Sequence, residues 1–314
     1  MSLLEALWQE TGLDSVSIQR IIATAPERYK VYSIPKRGGG RRIIAQPARE
    51  LKVLQRAIVR LYLLDRPVHP AAMAYVPGRS IRMNAATHAE NGPILKLDLR
   101  NFFPSIRSTD WLSYCADHDL FADTDERRAS ARILFRRERG AHVHRLSIGA
   151  PSSPLVSNLL MYEFDRSIAA TVSEDFVTYT RYADDMTFSA KRTGFLTGVE
   201  KAVRHALASL RYPRLYLNDD KKILATKKYK REVTGLILTN DNRVSLGRDK
   251  KRLLRAQIHH FKMGNLDRRA SMALAGHMAY AFDVEPSFFA RMERVFGKET
   301  LAALQAFAGR KDVV

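Results

Sequence analysis

The chain has 314 residues and carries 52 Lys and Arg against 33 Asp and Glu, a formal charge of 52 − 33 = +19. At 46% apolar and 27% charged it can bury a sizeable core, which excludes wholesale disorder. The single cysteine, Cys115, excludes a disulfide framework and a cysteine-based zinc site.

In chain order, residues 2–10 and 15–24 read as short helices. Residues 29–34 alternate as a strand, and residues 41–45 supply a hairpin mate across Gly38-Gly39-Gly40. Residues 50–64 place Leu51, Leu54, Ile58, Leu61 and Tyr62 at helical spacing. Residues 94–99 read as a buried strand leading into Phe102-Phe103-Pro104, and residues 153–169 as a helix past Pro154. Residues 176–181 and 186–190 are two strands around Tyr182-Ala183-Asp184-Asp185. A helix is predicted over 199–210, then a last strand pair, 231–238 and 243–246, around Asn240-Asp241-Asn242. From residue 248 the pattern is helical, with Leu254, Ile258 and Phe261 on one face and Gly264, Gly297 and Gly309 at helix stops. This is an α+β chain with a helical C-terminal appendage.

The longest uncharged stretch, residues 146–162, holds Pro151, Pro154 and four serines and falls short of a membrane span. Glu5 stands where a secretory signal would need a basic segment, so a cytosolic protein is expected. There an excess of positive charge points to a polyanion, most simply nucleic acid; the alternative is a solvated basic surface. The cations are bunched. Lys36, Arg37, Arg41 and Arg42 surround the triple glycine, residues 127–145 hold seven arginines, and residues 221–231 and 243–255 hold six cations each. Four separated clusters suit a groove along a phosphate backbone.

Three aspartates stand against this basic background. Asp98 interrupts an otherwise apolar strand, where a carboxylate needs the strand end, a partner or a metal to offset desolvation. Asp184 and Asp185 are adjacent between two strands and can converge only near a tight turn. Singly, each also reads as a hairpin tip or a salt-bridge partner. Together they describe a hard-cation site, since Mg²⁺ takes few carboxylates plus substrate phosphates and two such ions serve phosphoryl transfer. Nuclease and polymerase both fit at this stage.

The sequence Tyr182-Ala183-Asp184-Asp185 resembles the Y-x-D-D catalytic hairpin of reverse transcriptases. Lys96-Leu97-Asp98-Leu99-Arg100-Asn101-Phe102-Phe103 resembles their first palm motif. Gly149-Ala150-Pro151-Ser152-Ser153-Pro154 with Ser157-Asn158 resembles the template and nucleotide segment, and Leu217-Asn218-Asp219-Asp220-Lys221 the N-x-x-K segment. Asn84-Ala85-Ala86-Thr87-His88 matches an N-A-x-x-H element, and Val233-Thr234-Gly235 a V-T-G triplet, of bacterial retron reverse transcriptases. The resemblance covers about residues 29–262 and identifies the chain as similar to that branch.

The resemblance implies a right-hand fold: residues 1–28 an N-terminal helical extension, 29–92 and 108–148 fingers, 93–107 and 149–246 palm, 247–314 a helical thumb. It implies an RNA-directed DNA polymerase that copies a cognate structured non-coding RNA, primed from a guanosine 2′-hydroxyl. The product is branched multicopy single-stranded DNA (msDNA), and the enzyme works with an effector protein in defence against phage. Asp98 and Asp184 are then expected to hold two Mg²⁺, for which Mn²⁺ can substitute, with Asp185 a looser ligand and the Leu99 carbonyl beside the triphosphate-bound ion. Phe103 falls at the steric gate. Arg41 or Arg42, with Lys36 as a further candidate, would grip the deoxynucleoside triphosphate, with Gly149 and Ala150 lining its site. Tyr182, Pro151, Ser152 and Asn158 fall to primer and template, and Lys221 to pyrophosphate or motif positioning. Asn84 and His88 would contact RNA or brace the palm. Arg248, Lys250, Lys251, Arg252 and Arg255 would clasp RNA from the thumb. The glutamine usual before Gly-Ala-Pro is Ile148 here, so its hydrogen bond is missing. The 314 − 233 = 81 residues after Val233 suit a thumb, and RNase H is expected to act in trans. Rival readings are an RNA-binding scaffold with decayed polymerase activity that holds an effector, a reverse transcriptase acting on an intron or variable repeat, and a nuclease.

Overall fold

A computed structural model describes residues 1–36 and 39–308; Arg37, Gly38 and Gly309, singled out above, lie outside them. The chain divides into two compact units. The first comprises Met1–Arg79, Leu95–Ala190 and Gly194–Leu224; the second comprises Ser80–Ile94, Lys191–Thr193 and the chain from Ala225 on.

In the first unit, helices Leu3–Thr11 and Ser15–Thr24 open the chain, the first capped by a reciprocal Ser2–Glu5 box and the second by Asp14. Strands β1 (Tyr29–Pro35) and β2 (Arg41–Pro47) pair antiparallel, Tyr29 opposite Pro47 and Pro35 opposite Arg41. The apolar spacing of residues 50–64 becomes helix Arg49–Ile58 followed by a π-turn, Val59–Leu63. Strand β3 (Ile94–Asp98) is buried along its length except at Lys96. Helices Ser108–Asp117 and Thr124–Leu134 follow, then a short hairpin of β4 (Arg136–Arg137) and β5 (His144–Arg145). The helix expected over 153–169 is two, Ser153–Leu160 and Tyr162–Ser173, broken at Met161.

Strands β6 (Thr178–Tyr182) and β7 (Asp185–Ser189) form a tight hairpin with Tyr182 opposite Asp185. Together with β3 and β8 (Ile223–Ala225) they make one sheet in the order β6-β7-β3-β8. The core beneath it holds Leu95, Leu97, Trp111, Phe135, Phe164, Met186 and Phe188, with helix Val199–Ser209 adding Val203 and Leu207.

The second unit holds helix Ile81–Thr87 and a three-stranded sheet, where the sequence suggested one strand pair. Its strands are β9 (Arg231–Val233), β10 (Leu236–Leu238) and β11 (Val244–Ser245), in the order β11-β10-β9. The extra turn falls at Thr234-Gly235. Both residues have positive φ, 47° and 80°, the backbone of a two-residue primed hairpin that glycine adopts freely. Helices Arg248–Lys262, Arg268–Val284, Pro286–Phe296 and Lys298–Ala308 follow and share a core of Leu254, Ile258, Met278, Phe288, Phe296 and Leu304. Among the described residues no helix is long and apolar enough to cross a membrane.

Candidate active site

The three aspartates meet because two turns end side by side in the first unit. Strand β3 ends at Asp98, and the β6–β7 turn consists of Ala183, at φ 57°, and Asp184. The Leu99 amide donates to the Asp184 carbonyl at 3.0 Å, tying the turn to the end of β3. Asp185, the first residue of β7, is near enough for its carboxyl to hydrogen-bond Asp98. Burial raises the Asp184 carboxyl to about 6, and the charges of Asp185 and Asp98 push in the same direction. Burial also raises Asp185, against the pull of Lys96, which stands two residues before Asp98 on β3.

Asp98 is 4% exposed. Its Oδ2 accepts from Lys221 Nζ at 2.9 Å and its Oδ1 from Asn218 Nδ2 at 3.2 Å, while the Asn218 amide donates to the Asp98 carbonyl. Burial pulls the Lys221 ammonium down, but the hydrogen bond and charge of Asp98, with Asp184 and Asp185, leave it raised. The donors are all carboxylate oxygens, the set a hard divalent cation prefers, and their mutual repulsion is what a bound cation would relieve. They do not form a closed cage: among the described residues no three His, Cys, Asp or Glu side chains are spaced for a metal ion. Asp98 is turned onto Lys221 instead.

A buried ion pair supports the turn from below, and the sequence reading did not find it. Arg181 and Asp165 both have fully buried side chains. Arg181 donates to Asp165 from Nε (2.8 Å) and Nη2 (2.6 Å), to Asn158 Oδ1 (3.2 Å) and, through Nη1, to the Ala183 carbonyl (3.0 Å). Tyr179 donates its hydroxyl to Asp165 at 2.8 Å. The only signal in the sequence was an arginine inside a strand otherwise fit for burial. Asn158 is 1% exposed, and its Nδ2 donates to the Ala74 carbonyl at 2.9 Å. Both ends of its amide are engaged within the protein.

The remaining candidates of the first unit are held by their own local contacts. The chain turns at Asn101 (φ 49°), which buries Phe102 and leaves Phe103 half-buried. Gly149, at φ 119°, lies against β2: a Cβ there would meet the Ala45 carbonyl and Ile44 Cγ2, each at 3.1 Å. The Ile148 carbonyl accepts from the Ala45 amide at 2.8 Å, so this segment is pinned to β2 through its backbone without a glutamine side chain. Ala150 and Ser152 are buried and Pro151 half-buried; the Ser152 hydroxyl has no protein partner. Successive strand residues face opposite ways. Arg42 shares the face of Ile44, whereas Arg41 folds back, its Nε on Ser33 Oγ at 2.7 Å. Lys36 is exposed and its amide closes the turn onto the Gly40 carbonyl. Tyr182 is half-buried beside the aspartates.

Residues 34–238 match the reverse transcriptase (RNA-dependent DNA polymerase) family. The chain is 37% identical over 284 residues to the Retron Ec83 reverse transcriptase of Escherichia coli, covering 89% of this chain and 90% of that one. It belongs to the bacterial retron reverse transcriptases. The Retron Ec73 enzyme of Escherichia coli is 30% identical over 88% of this chain and 90% of its own. The Retron Mx65 enzyme of Myxococcus xanthus is 33% identical over 85% of this chain and 64% of its own. A solved telomerase from Candida albicans reaches a TM-score of 0.47 at 11% identity, covering 93% of this chain and 62% of that one, too low a likeness to carry an argument.

This retron reverse transcriptase is an RNA-directed DNA polymerase of the right-hand fold, with an RNA template, a DNA product and, as a member of its family, a divalent metal cofactor. The two elements that resemble its branch pack together in the second unit. Asn84 is 1% and His88 0% exposed, on one face of helix Ile81–Thr87 and its cap, so neither reaches an RNA in solvent. Burial pushes the His88 imidazole down to about 3, keeping it neutral. Val233 is buried, and Thr234 Oγ1 donates to the Ile81 carbonyl at 3.2 Å, fastening the V-T-G turn to the helix that carries Asn84.

The basic clusters are partly occupied within the retron enzyme. Among the seven arginines of residues 127–145, Arg127, Arg132 and Arg145 donate to the carbonyls of Leu120, Ile22 and Pro104. Arg128, Arg136 and Arg137 pair with Asp125, Glu138 and Glu27. Arg231 is buried against the carbonyls of Gly92 and Thr239. On helix Arg248–Lys262, Lys251 donates to Glu285, Lys250 lies over the Tyr280 ring and Arg252 pairs with Asp249, whereas Arg248 and Arg255 are exposed.

Proposed function

We propose that this enzyme copies part of a cognate structured non-coding RNA into cDNA, primed from a guanosine 2′-hydroxyl, and leaves branched msDNA. The observation that carries this reading is the meeting of Asp98, Asp184 and Asp185 at the end of β3, with the half-buried Phe103 on the short helix that follows that strand. Asp98 and Asp184 would hold a pair of Mg²⁺ ions, replaceable by Mn²⁺, with Asp185 the looser ligand and the Leu99 carbonyl beside them. Bound there, the ions would acidify the attacking hydroxyl and stabilise the departing pyrophosphate.

The protein's own groups orient the reactants. Phe103 excludes a ribose 2′-hydroxyl by clash and so selects deoxynucleoside triphosphates. Arg42 is favoured over Arg41 for the triphosphate, because Arg41 is held by Ser33 and a free guanidinium suits multidentate phosphate contacts. Gly149 and Ala150 line the nucleotide site, Pro151, Ser152 and Asn158 shape the template loop, and Tyr182 packs against the primer end. Lys221 holds Asp98 until substrate arrives and is then free for pyrophosphate.

Residues 29–92 and 108–148 would be fingers, 93–107 and 149–246 palm, and 247–314 a thumb whose Arg248, Lys250, Lys251, Arg252 and Arg255 meet the RNA stem, after an N-terminal extension of residues 1–28. Cellular RNase H would trim the template in the bacterial cytoplasm, and an effector protein would make the complex an anti-phage system. The test is co-expression with RNA from the native host, followed by sequencing of bound nucleic acid and treatment with a 2′,5′-debranching enzyme. A compact inverted-repeat RNA joined to cDNA by a debranchable bond is expected, and none from Asp98→Asn. Linear products, or an intron transcript as the bound RNA, would refute the proposal.

A further inference from the structure

Tyr75 belongs to none of the motifs, yet it stands among them. Its ring lies 6.3 Å from that of Phe103, with the planes at 57°, and Phe103 meets Phe102 edge-on at 5.2 Å. Burial raises its phenol, the Asp184 and Tyr182 charges raise it further, and Arg42 opposes them, so all three are within electrostatic reach. Even so, the residue is 48% exposed. Its φ is 63°, a backbone that a bulky aromatic residue rarely adopts.

The surrounding chain holds that conformation in place. The Met73 amide donates to the Arg181 carbonyl and the Arg181 amide to the Ala71 carbonyl, both at 2.7 Å, so residues 71–73 run beside β6. Asn158 grips the Ala74 carbonyl and Arg79 the Ala72 carbonyl. A rigidly held, strained residue with a half-exposed ring fits a site role better than core packing.

We propose that Tyr75 is a specificity-determining residue of the nucleotide site: its ring and that of Phe103 form one surface against which the sugar of the incoming nucleotide is read. This rests on the reading of Phe103 as the steric gate. Tyr75 sets where the Phe103 ring stands and closes the space into which that ring would otherwise tilt. A ribonucleotide is then refused by two rings in contact.

The experiment is extension of an oligo(dT) primer on poly(rA) by the full chain, comparing kcat/KM for dTTP and UTP in the wild type, Tyr75→Gly, Tyr75→Phe and Phe103→Ala. Glycine accepts the positive φ without strain, so Tyr75→Gly removes the ring without endangering the fold. The dTTP preference is expected to fall about tenfold in Tyr75→Gly, as for loss of a pocket wall. The change should appear as a lower KM for UTP, leave template–primer KM unchanged and be absent in Tyr75→Phe. A wild-type preference in Tyr75→Gly, with a lowered one in Phe103→Ala, overturns the proposal and leaves the gate standing. An unchanged preference in both variants removes the gate and the proposal together. Equal losses of nucleotide and template–primer affinity in Tyr75→Gly mean general damage and also overturn it.

Discussion

Lys221 Nζ stands 2.9 Å from Asp98 Oδ2, a lysine from the N-x-x-K segment on the aspartate of the first palm motif, 123 residues earlier. Its charge also lowers Asp184 and Asp185, against the burial that raises both. Lys221→Met removes that support, so Asp184 and Asp185 hold protons to higher pH. The acidic limb of the pH–rate profile for primer extension is expected to move upward, with a smaller change on the alkaline side. An unmoved acidic limb would mean that Lys221 does not act on the carboxylates during synthesis.

Asp184 links activity to stability. Its folded-state carboxyl is raised to about 6 from 3.8, so ionising it opposes folding. The stability that its proton provides is present below the unfolded value and is lost as pH rises through about 6. Asp184→Asn is therefore expected to melt higher than the wild type at pH 8 while making no cDNA. The gap should narrow as pH falls through about 6 and close only below the unfolded value of 3.8, where the aspartate is protonated in both states. Thermal melts across that range check the sign, and a variant that melts lower than the wild type at pH 8 contradicts it.

The Arg181–Asp165 pair separates stability from positioning. Arg181→Met leaves Asp165 buried without its cation, at a cost of about 3–5 kcal/mol. Arg181→Met combined with Asp165→Leu removes both charges and should recover most of that loss. Its cDNA synthesis should stay low, because nothing then holds the Ala183 carbonyl beneath the aspartate turn. Urea denaturation with primer extension on the same preparations distinguishes the two effects. Full activity in the double variant would make the pair purely structural.

The V-T-G turn gives a test in the second unit. Thr234→Val keeps the shape and deletes the hydroxyl that reaches the Ile81 carbonyl, a loss of about 1 kcal/mol. Gly235→Ala places a Cβ at φ 80° and is expected to cost at least as much. Chemical denaturation should show both losses, and a stable Gly235→Ala would mean that the hairpin turn is other than described.

Much of the fold was legible because local rules governed it. The β1–β2 hairpin, the strand at residues 94–98, the Asp-Asp hairpin and the helices from residue 248 follow from alternation, helical spacing and glycine placement. The misread elements broke those rules locally. The run 231–238 looked like one strand because Thr234 is β-branched, yet it turns there. The helix past Pro154 is split at Met161, a residue with no breaking signature.

The candidate site divides in the same way. By itself the sequence singled out Asp98, Asp184 and Asp185 as candidates, through their motif spacing in a basic chain. It determined the family for the same reason, through residue identity and order. Only the tertiary structure decided that Asp98 faces Lys221, that Arg42 and not Arg41 is left unpaired by Ser33, that Asn158 and His88 are buried, and that Tyr75 stands beside Phe103. Those contacts join residues distant along the chain, and no local periodicity encodes a partner. A side chain's role there depends on burial and on which neighbour takes its hydrogen bonds, and both exist only once the chain has closed on itself.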